Sequence, residues 1–178
     1  MIERSEKGRE TANLPGEVAT WRGRARRYLP LLLWIGFILF ASTGSLSATN
    51  TSRIVRPLLL WLNPDITEES LLYAHLVVRK TAHLFEYAVL AVLAARAFLT
   101  STRAVLRRHW YAVAFALVAL VAVLDEYHQS FVETRTGTPY DSLIDVTGGA
   151  LGLALVGLWR RLRYKKSNRA GRAQALKF

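Results

Sequence analysis

Long apolar runs separated by short polar segments dominate the pattern of this chain. No charge occurs in residues 29–48, and a second helical pattern begins at Thr67, a suitable N-cap, and runs to about residue 99. A third uncharged run covers residues 110–124, and a fourth stretch, 143–159, is interrupted only by Asp145. A membrane span needs roughly 20 mostly apolar residues. The pattern therefore predicts an all-α integral membrane helical bundle with about four transmembrane helices.

Two apolar stretches allow a second interpretation. Residues 29–48 have a short apolar centre followed by small residues, as in a cleaved signal peptide, although their uncharged length favours a retained span. The segment from Arg53 to Pro64 is apolar but short and contains two prolines. We expect it to form an interfacial or re-entrant segment.

The charge distribution predicts the orientation. The chain has 24 Lys and Arg against 13 Asp and Glu, a net charge of +11, and the basic residues concentrate in residues 1–28, 100–109 and 160–178. Basic segments flanking spans normally stay in the cytoplasm. We therefore predict a multi-pass protein with a cytoplasmic N-terminal tail (1–28), a transmembrane domain (29–160) and a basic cytoplasmic C-terminal tail (161–178). Topology explains the basic residues, so nucleic-acid binding is not expected, and the absence of Cys excludes a disulfide-stapled module.

Ionisable residues interrupt the predicted spans at one end of the bundle. Such residues are costly in lipid, so they normally face the bundle interior and often mark functional sites. Helical spacing places many of them on shared faces of three spans, in the outer part of the membrane. The groups are Lys80, His83 and Tyr87; Asp125, His128 and Gln129; and Asp141 and Asp145. The predicted outward-facing pocket comprises Arg79, Lys80, His83, Glu86, Tyr87, Asp125, Glu126, His128, Gln129, Arg135, Asp141 and Asp145.

Three hypotheses explain this pocket. The favoured one is binding of an anionic lipid or cell-wall group, with Arg79, Lys80 and Arg135 holding a phosphate or carboxylate. The second is an intramembrane hydrolase or transferase that uses His83 and His128 with nearby carboxylates for acid-base catalysis or metal binding. The sequence has no His-Glu-x-x-His or comparable metal spacing, so no metal or other cofactor is predicted and a non-enzyme is favoured. The third is a buried salt-bridge network that fixes helix register.

Glycine residues follow the acidic pair on the fourth span. Gly148 and Gly152 form a small-xxx-small pattern, with Gly149 beside them. Such patterns let two helices approach closely in a membrane. We expect these glycines to serve helix packing.

The ordered polar motifs resemble the VanZ-like family of small bacterial membrane proteins. The resemblance covers about residues 30–160. It rests on Arg79-Lys80-x-x-His83-x-x-Glu86-Tyr87-x-x-Leu90, Asp125-Glu126-x-x-Gln129-x-Phe131, Arg135, and Asp141-x-x-x-Asp145-x-x-Gly148-Gly149-x-x-Gly152. The exit of the first span, Phe40-Ala41-Ser42-Thr43, also resembles a Ser-rich segment of the family. Departures are mild: Arg79 stands where the family often has Asp, and Thr147-Gly148 where it often has Asn.

The resemblance implies a multi-pass protein of the bacterial cytoplasmic membrane, within the cell envelope. The namesake of the family is associated with teicoplanin resistance, and no reaction or catalytic residue carries over from it. The expected partners are the lipid bilayer and an anionic lipid or cell-wall precursor. The oligomeric state is not indicated by the sequence.

Overall fold

The computed structural model describes residues 21–42, 48–131 and 139–175, and every regular element in these ranges is helical. The helices are α1 (Trp21–Phe40), α2 (Ala48–Leu62), α3 (Glu68–Leu99), α4 (Ala104–Arg108), α5 (Trp110–Gln129) and α6 (Pro139–Ala175). By length and composition, α3, α5 and α6 can cross a membrane. The all-helical fold and its apolar character are confirmed, with three such helices in the described ranges where about four were predicted.

Helix α1 differs in its bounds from the first predicted span. It begins at Trp21, eight residues before the uncharged run, so four arginines lie in its first two turns. The helix ends at Phe40, and Ala41 and Ser42 continue as a wider π turn. Its uncharged part is consequently shorter than the 20 residues that a span normally needs.

Helix α2 contains most of the segment expected at the interface. At 1.5 Å per residue its 15 residues extend about 22 Å, less than the roughly 30 Å of a hydrocarbon core. Two hydrogen bonds, of 2.5 and 3.2 Å, join the Arg56 guanidinium to the Glu68 carboxylate. This exposed ion pair ties α2 to the first turn of α3.

Helix α3 begins as its sequence predicts. The Thr67 hydroxyl accepts a hydrogen bond from the Ser70 amide at 3.2 Å, and Glu68 and Glu69 occupy the first turn, where carboxylates favour the positive end of the helix dipole. Arg96 lies in the last turn, at the negative end. These terminal residues confirm the predicted start at Thr67 and end at Leu99.

Helix α6 extends beyond the predicted fourth span in both directions. It starts at Pro139, four residues before the predicted stretch at 143–159, because the fixed φ of proline suits the first turn of a helix. It continues to Ala175, through most of the segment expected as a tail. The Arg160 guanidinium lies 5.4 Å from the centre of the Trp110 ring, so this part of α6 remains beside the start of α5.

The core surrounds α3, which contacts every other helix. Small side chains dominate the buried surfaces: four alanines of α3 (Ala91, Ala94, Ala95, Ala97) and two of α5 (Ala114, Ala122) are fully buried. Small residues permit close helix packing. Leu90 and Leu153 fill the space between α3 and α6 and belong to the same apolar core.

Three contacts fix the direction of α1 relative to its neighbours. The Tyr28 hydroxyl lies 2.9 Å from the Ser101 Oγ just after the end of α3, and the Trp34 indole donates to the Glu86 carbonyl oxygen at 2.9 Å. Ser42 reaches the last turns of α5. Helices α1 and α3 are thus antiparallel, and the carboxyl end of α1 lies beside the last turns of α5.

Candidate functional site

Polar side chains from four chain segments meet inside the helical bundle. We define the polar cluster as Ser42, His83, Tyr87, Asp125, Gln129 and Asp145. All are buried except His83, whose side chain is 17% exposed. The cluster lies where α1 and α5 end and α6 begins, next to the middle of α3.

Asp125 is the most extensively hydrogen-bonded carboxylate of the cluster. The Ser42 hydroxyl donates to its Oδ1, and the Gln129 amide donates to its Oδ2 at 2.8 Å. The same amide nitrogen lies 3.1 Å from the Ser42 Oγ. Since Asp125 and Gln129 are one helical turn apart, α5 presents both to the end of α1. These bonds hold the carboxylate in one orientation.

His83 and Asp145 connect α3 to α6 inside the cluster. The Nδ1 of His83 lies 3.2 Å from the Oδ1 of Asp145, within the range of an ion pair. The direction of approach does not satisfy a hydrogen bond, and both atoms are buried without a hydrogen-bond partner. The imidazole and the carboxylate are therefore close but incompletely satisfied by each other.

Two more buried polar atoms of the cluster lack a hydrogen-bond partner among the described residues, the Tyr87 hydroxyl and the Gln129 Oε1. Native proteins leave few buried polar atoms unpaired, because each costs free energy comparable to a lost hydrogen bond. Four such atoms in a single cluster are unusual. They fit a site that is completed by a polar ligand, an ion or ordered water.

A partly exposed ion pair lies beside the cluster. The Lys80 Nζ lies 3.3 Å from the Asp141 Oδ1, one turn before His83 on α3 and one turn before Asp145 on α6. The side chains of Lys80 and Asp141 are 51% and 25% exposed, respectively. We call this pair the mouth of the polar cluster. It places an accessible ammonium next to buried carboxylates.

The remaining predicted pocket residues occupy less buried positions. Arg79, Glu86 and Glu126 are half-buried, and His128 is exposed although it was expected to share a face with Asp125. The prediction for Arg135 lies outside the described residues. The polar cluster is thus a smaller group than the twelve-residue pocket predicted from the sequence.

Glycines of α6 bring this helix against the backbone of α3. A Cβ on Gly148 would collide with the Leu84 carbonyl oxygen, and one on Gly152 would lie 2.5 Å from the Ala88 carbonyl oxygen. A Cβ on Gly149 would collide with the Val118 side chain of α5. Because Leu84 follows His83 and Gly148 is three residues from Asp145, this close contact positions the two polar side chains.

Ser42 is a cluster residue that the sequence analysis did not include in the pocket. The only signal was the Ser-rich exit of the first apolar run, and a serine at that position has no evident partner in the sequence. The wider π turn directs its hydroxyl to Asp125. Such turns occur frequently at functional sites.

Three cluster residues have the chemistry of metal ligands. His83, Asp125 and Asp145 each offer one ligand atom, and these atoms lie within 4.8 Å of one another. Each ligand comes from a different helix, so no local sequence spacing connects them. A pattern of local sequence spacing therefore does not reveal this grouping.

A family model described as VanZ/LLP1 matches residues 28–160, most of the chain. The chain belongs to the VanZ-like family. The matched region of this VanZ-like protein contains the whole polar cluster and its mouth. Neither the curated proteins nor the solved structures include a match to the chain.

Proposed function

We propose that this VanZ-like protein spans the bacterial cytoplasmic membrane and binds the anionic headgroup of an envelope lipid or lipid-linked cell-wall precursor at the mouth of the polar cluster. Family membership and three apolar helices support the membrane location. The contacts of Lys80, and the incompletely paired atoms beneath it, support the binding function.

The proposed topology has four spans with both termini in the cytoplasm. Helices α3, α5 and α6 cross the bilayer, α1 is a shorter fourth span, and α2 lies in the interface or re-enters the membrane. The basic residues at the start of α1, around α4 and after residue 160 then share the cytoplasmic side. The polar cluster consequently lies in the outer part of the membrane and opens outward.

The unpaired buried atoms are the observation that carries the proposal. If the network served only to fix helix register, its members should form hydrogen bonds with each other, because an unpaired buried polar group costs more free energy than an apolar one. The cluster leaves four such atoms beside a half-exposed lysine. Of these atoms, the Tyr87 hydroxyl and a protonated His83 Nδ1 can donate to an anion at the mouth, whereas the Gln129 and Asp145 oxygens need a donor or a cation.

The mouth fits an anionic group. In the described ranges, the Lys80 ammonium contacts the Asp141 carboxylate at 3.3 Å and is half-exposed, so a phosphate or carboxylate can replace or share that contact. Arg79 adds a second positive charge beside it in the sequence. Apolar side chains cover the outer surfaces of α3, α5 and α6, which suits the acyl or prenyl chain of a lipid.

Binding of an envelope precursor would connect the site to glycopeptide susceptibility, the property associated with the namesake of the family. A protein that retains or redistributes such precursors changes their access to the drug. We therefore propose an effect on glycopeptide susceptibility as a consequence of lipid binding.

Lipid binding by purified protein tests the proposal. A polyprenyl phosphate and a phosphatidylglycerol are titrated into detergent-solubilised protein and monitored by native mass spectrometry, with phosphatidylcholine as the zwitterionic reference. We expect preferential binding of the anionic lipids and at least a tenfold loss with Lys80→Ala. The matched control is Arg56→Ala, which also removes an exposed cation from an ion pair. Equal binding by both variants and the wild type would contradict the proposal.

An intramembrane hydrolase or transferase is a second candidate function. It is favoured by the position of His83, whose Nδ1 lies 3.2 Å from the Asp145 carboxylate, close enough for the two groups to form a hydrogen-bonded acid-base pair after a small reorientation. Release of phosphate from a polyprenyl pyrophosphate, abolished by His83→Gln, would support this activity. Binding without turnover would favour the first function.

A further inference from the structure

Three residues of the polar cluster have the side-chain composition of a cation-binding site, and we call this part the base of the cluster. One imidazole and two carboxylates, from His83, Asp125 and Asp145, bring their ligand atoms within 4.8 Å of one another. Metal-ligand bonds to such atoms are about 2.0–2.2 Å long, so ligands on opposite sides of an ion are roughly 4.2 Å apart. Small side-chain rotations would bring all three atoms to one ion.

The charges at this position favour a divalent cation. Asp125 and Asp145 are 1% and 2% exposed, and two carboxylates at this separation repel each other strongly in a low-dielectric interior. Ser42 and Gln129 donate only neutral hydrogen bonds to Asp125. The nearby Lys80 is paired with Asp141 at the mouth instead. An ion of charge +2 would balance both carboxylates while His83 remains a neutral ligand.

Unpaired atoms around the three ligands provide an independent indication. The Asp145 Oδ1 and the His83 Nδ1 are themselves buried without a hydrogen-bond partner. Tyr87, one turn after His83, and Gln129, one turn after Asp125, are 0% and 1% exposed and leave an oxygen unpaired. These oxygens can bind the ion directly or through a coordinated water.

We propose that His83, Asp125 and Asp145 bind a divalent transition-metal cation at the base of the polar cluster, with Tyr87 and Gln129 completing its surroundings. The imidazole nitrogen favours zinc, manganese or iron over magnesium and calcium, which prefer sites built from oxygen alone. The hydrogen bonds from Ser42 and Gln129 fix the orientation of the Asp125 carboxylate. Metal ligands are commonly held in place by hydrogen bonds from neighbouring residues in this way.

The cation deepens the proposed function, on which this part of the inference rests. A metal held by three protein ligands keeps at least one coordination position open. The mouth lies one helical turn away, so a phosphate or carboxylate there can coordinate the ion and contact Lys80 together. The ion would neutralise the Asp125 and Asp145 carboxylates, so the cluster would attract an anion instead of repelling it.

Zinc binding by the full chain tests the inference directly. Protein without an affinity tag is stripped with a chelator, and its binding of Zn²⁺ is measured by equilibrium dialysis with elemental analysis and by calorimetry, in the absence of added lipid. We expect one ion per chain, with at least a tenfold weaker affinity for Asp145→Asn and for His83→Gln. Mg²⁺ should not compete at equal concentration.

Asp65→Asn is the matched control, because it removes the same charge from an exposed position between α2 and α3, outside the cluster and its mouth. We expect its zinc affinity to stay within about threefold of wild type. Binding that persists unchanged in Asp145→Asn and His83→Gln would assign the ion to another histidine or to the surface. That result, or the absence of stoichiometric binding, would overturn the inference.

A spectroscopic measurement on wild-type protein keeps the inference testable if the variants fail to fold. Co²⁺ replaces Zn²⁺ and reports its coordination by visible absorption. Intense bands of a four- or five-coordinate site would support three protein ligands, and the weak spectrum of the hydrated ion would contradict them. Lipid titrations with and without Zn²⁺ separate the two proposals: anionic lipid binding that is retained in chelator, without metal binding, would leave the proposed function intact and remove the metal site.

Discussion

The Gln129 Nε2 lies 3.1 Å from the Ser42 Oγ, and both side chains donate to the Asp125 carboxylate. These contacts join the carboxyl end of α1 to the last turn of α5 across 87 residues of sequence. They form a buried link between the end of α1 and α5. The position of α1 therefore depends on a polar contact as well as on apolar packing.

Ser42→Ala should destabilise the fold by about 1–3 kcal/mol, because it removes a donor from a buried carboxylate. The measurement is thermal or denaturant unfolding of the purified protein in detergent. Ser130→Ala is the control, since the Ser130 side chain is exposed and its hydroxyl donates to the Tyr127 carbonyl in the same turn. We expect the control to change stability by less than about 0.5 kcal/mol. Equal effects in the two variants would argue against the Ser42 link.

The sequence predicts the bounds of a helix well where the apolar periodicity and the capping residues indicate the same ends. Helix α3 starts after Thr67 and ends at Leu99, because the N-cap, the acidic first turn and the polar residues after Leu99 agree on its bounds. The bounds of α1 and α6 were less accurate. Both helices continue into basic segments, where hydropathy changes but helix propensity does not.

The site was only partly predictable for a geometric reason. Helical spacing grouped His83 with Tyr87, Asp125 with Gln129, and Asp141 with Asp145, since each pair lies one turn apart on one helix. Sequence spacing does not determine which face of a helix packs against a neighbouring helix, because that depends on tertiary packing. Sequence spacing therefore grouped His128 with Asp125, whereas the structure leaves His128 exposed. Ser42 was missed because its partner is 83 residues away.

Gly152→Ala should destabilise the contact between α3 and α6. The added methyl would lie 2.5 Å from the Ala88 carbonyl oxygen, a backbone atom that cannot move alone. Overpacking of this kind costs about 1–3 kcal/mol, and we expect a lower unfolding temperature in detergent. It should also weaken ligand binding, because the displacement of α6 moves Asp145 away from His83.

Gly157→Ala is the matched control for that substitution. It lies on the same helix, and a Cβ there would meet nothing within 4 Å. Replacement of a helical glycine by alanine normally stabilises by up to about 1 kcal/mol. An unfolding temperature that falls equally in both variants would show that the loss reflects glycine flexibility rather than close contact with α3.

Lys80→Met should separate ligand binding from stability. The Lys80 and Asp141 side chains are both partly exposed, and such pairs contribute less than about 1 kcal/mol. We therefore expect a nearly unchanged unfolding temperature together with a large loss of anionic lipid binding, measured by titration of a polyprenyl phosphate. A large loss of stability would instead indicate that the ion pair is part of the structural core.

The orientation of the protein can be measured with introduced cysteines, because the chain contains none. Asp65→Cys places an exposed thiol between α2 and α3, and Thr102→Cys places one between α3 and α4. Thr102 is followed directly by Arg103, whereas Asp65 has no basic residue beside it in the sequence. We therefore expect residue 102 in the cytoplasm and residue 65 outside. A membrane-impermeant maleimide should label Asp65→Cys in intact cells and Thr102→Cys only after permeabilisation. The reverse pattern would place the mouth of the polar cluster on the cytoplasmic side, where it could not reach ligands at the outer face of the membrane.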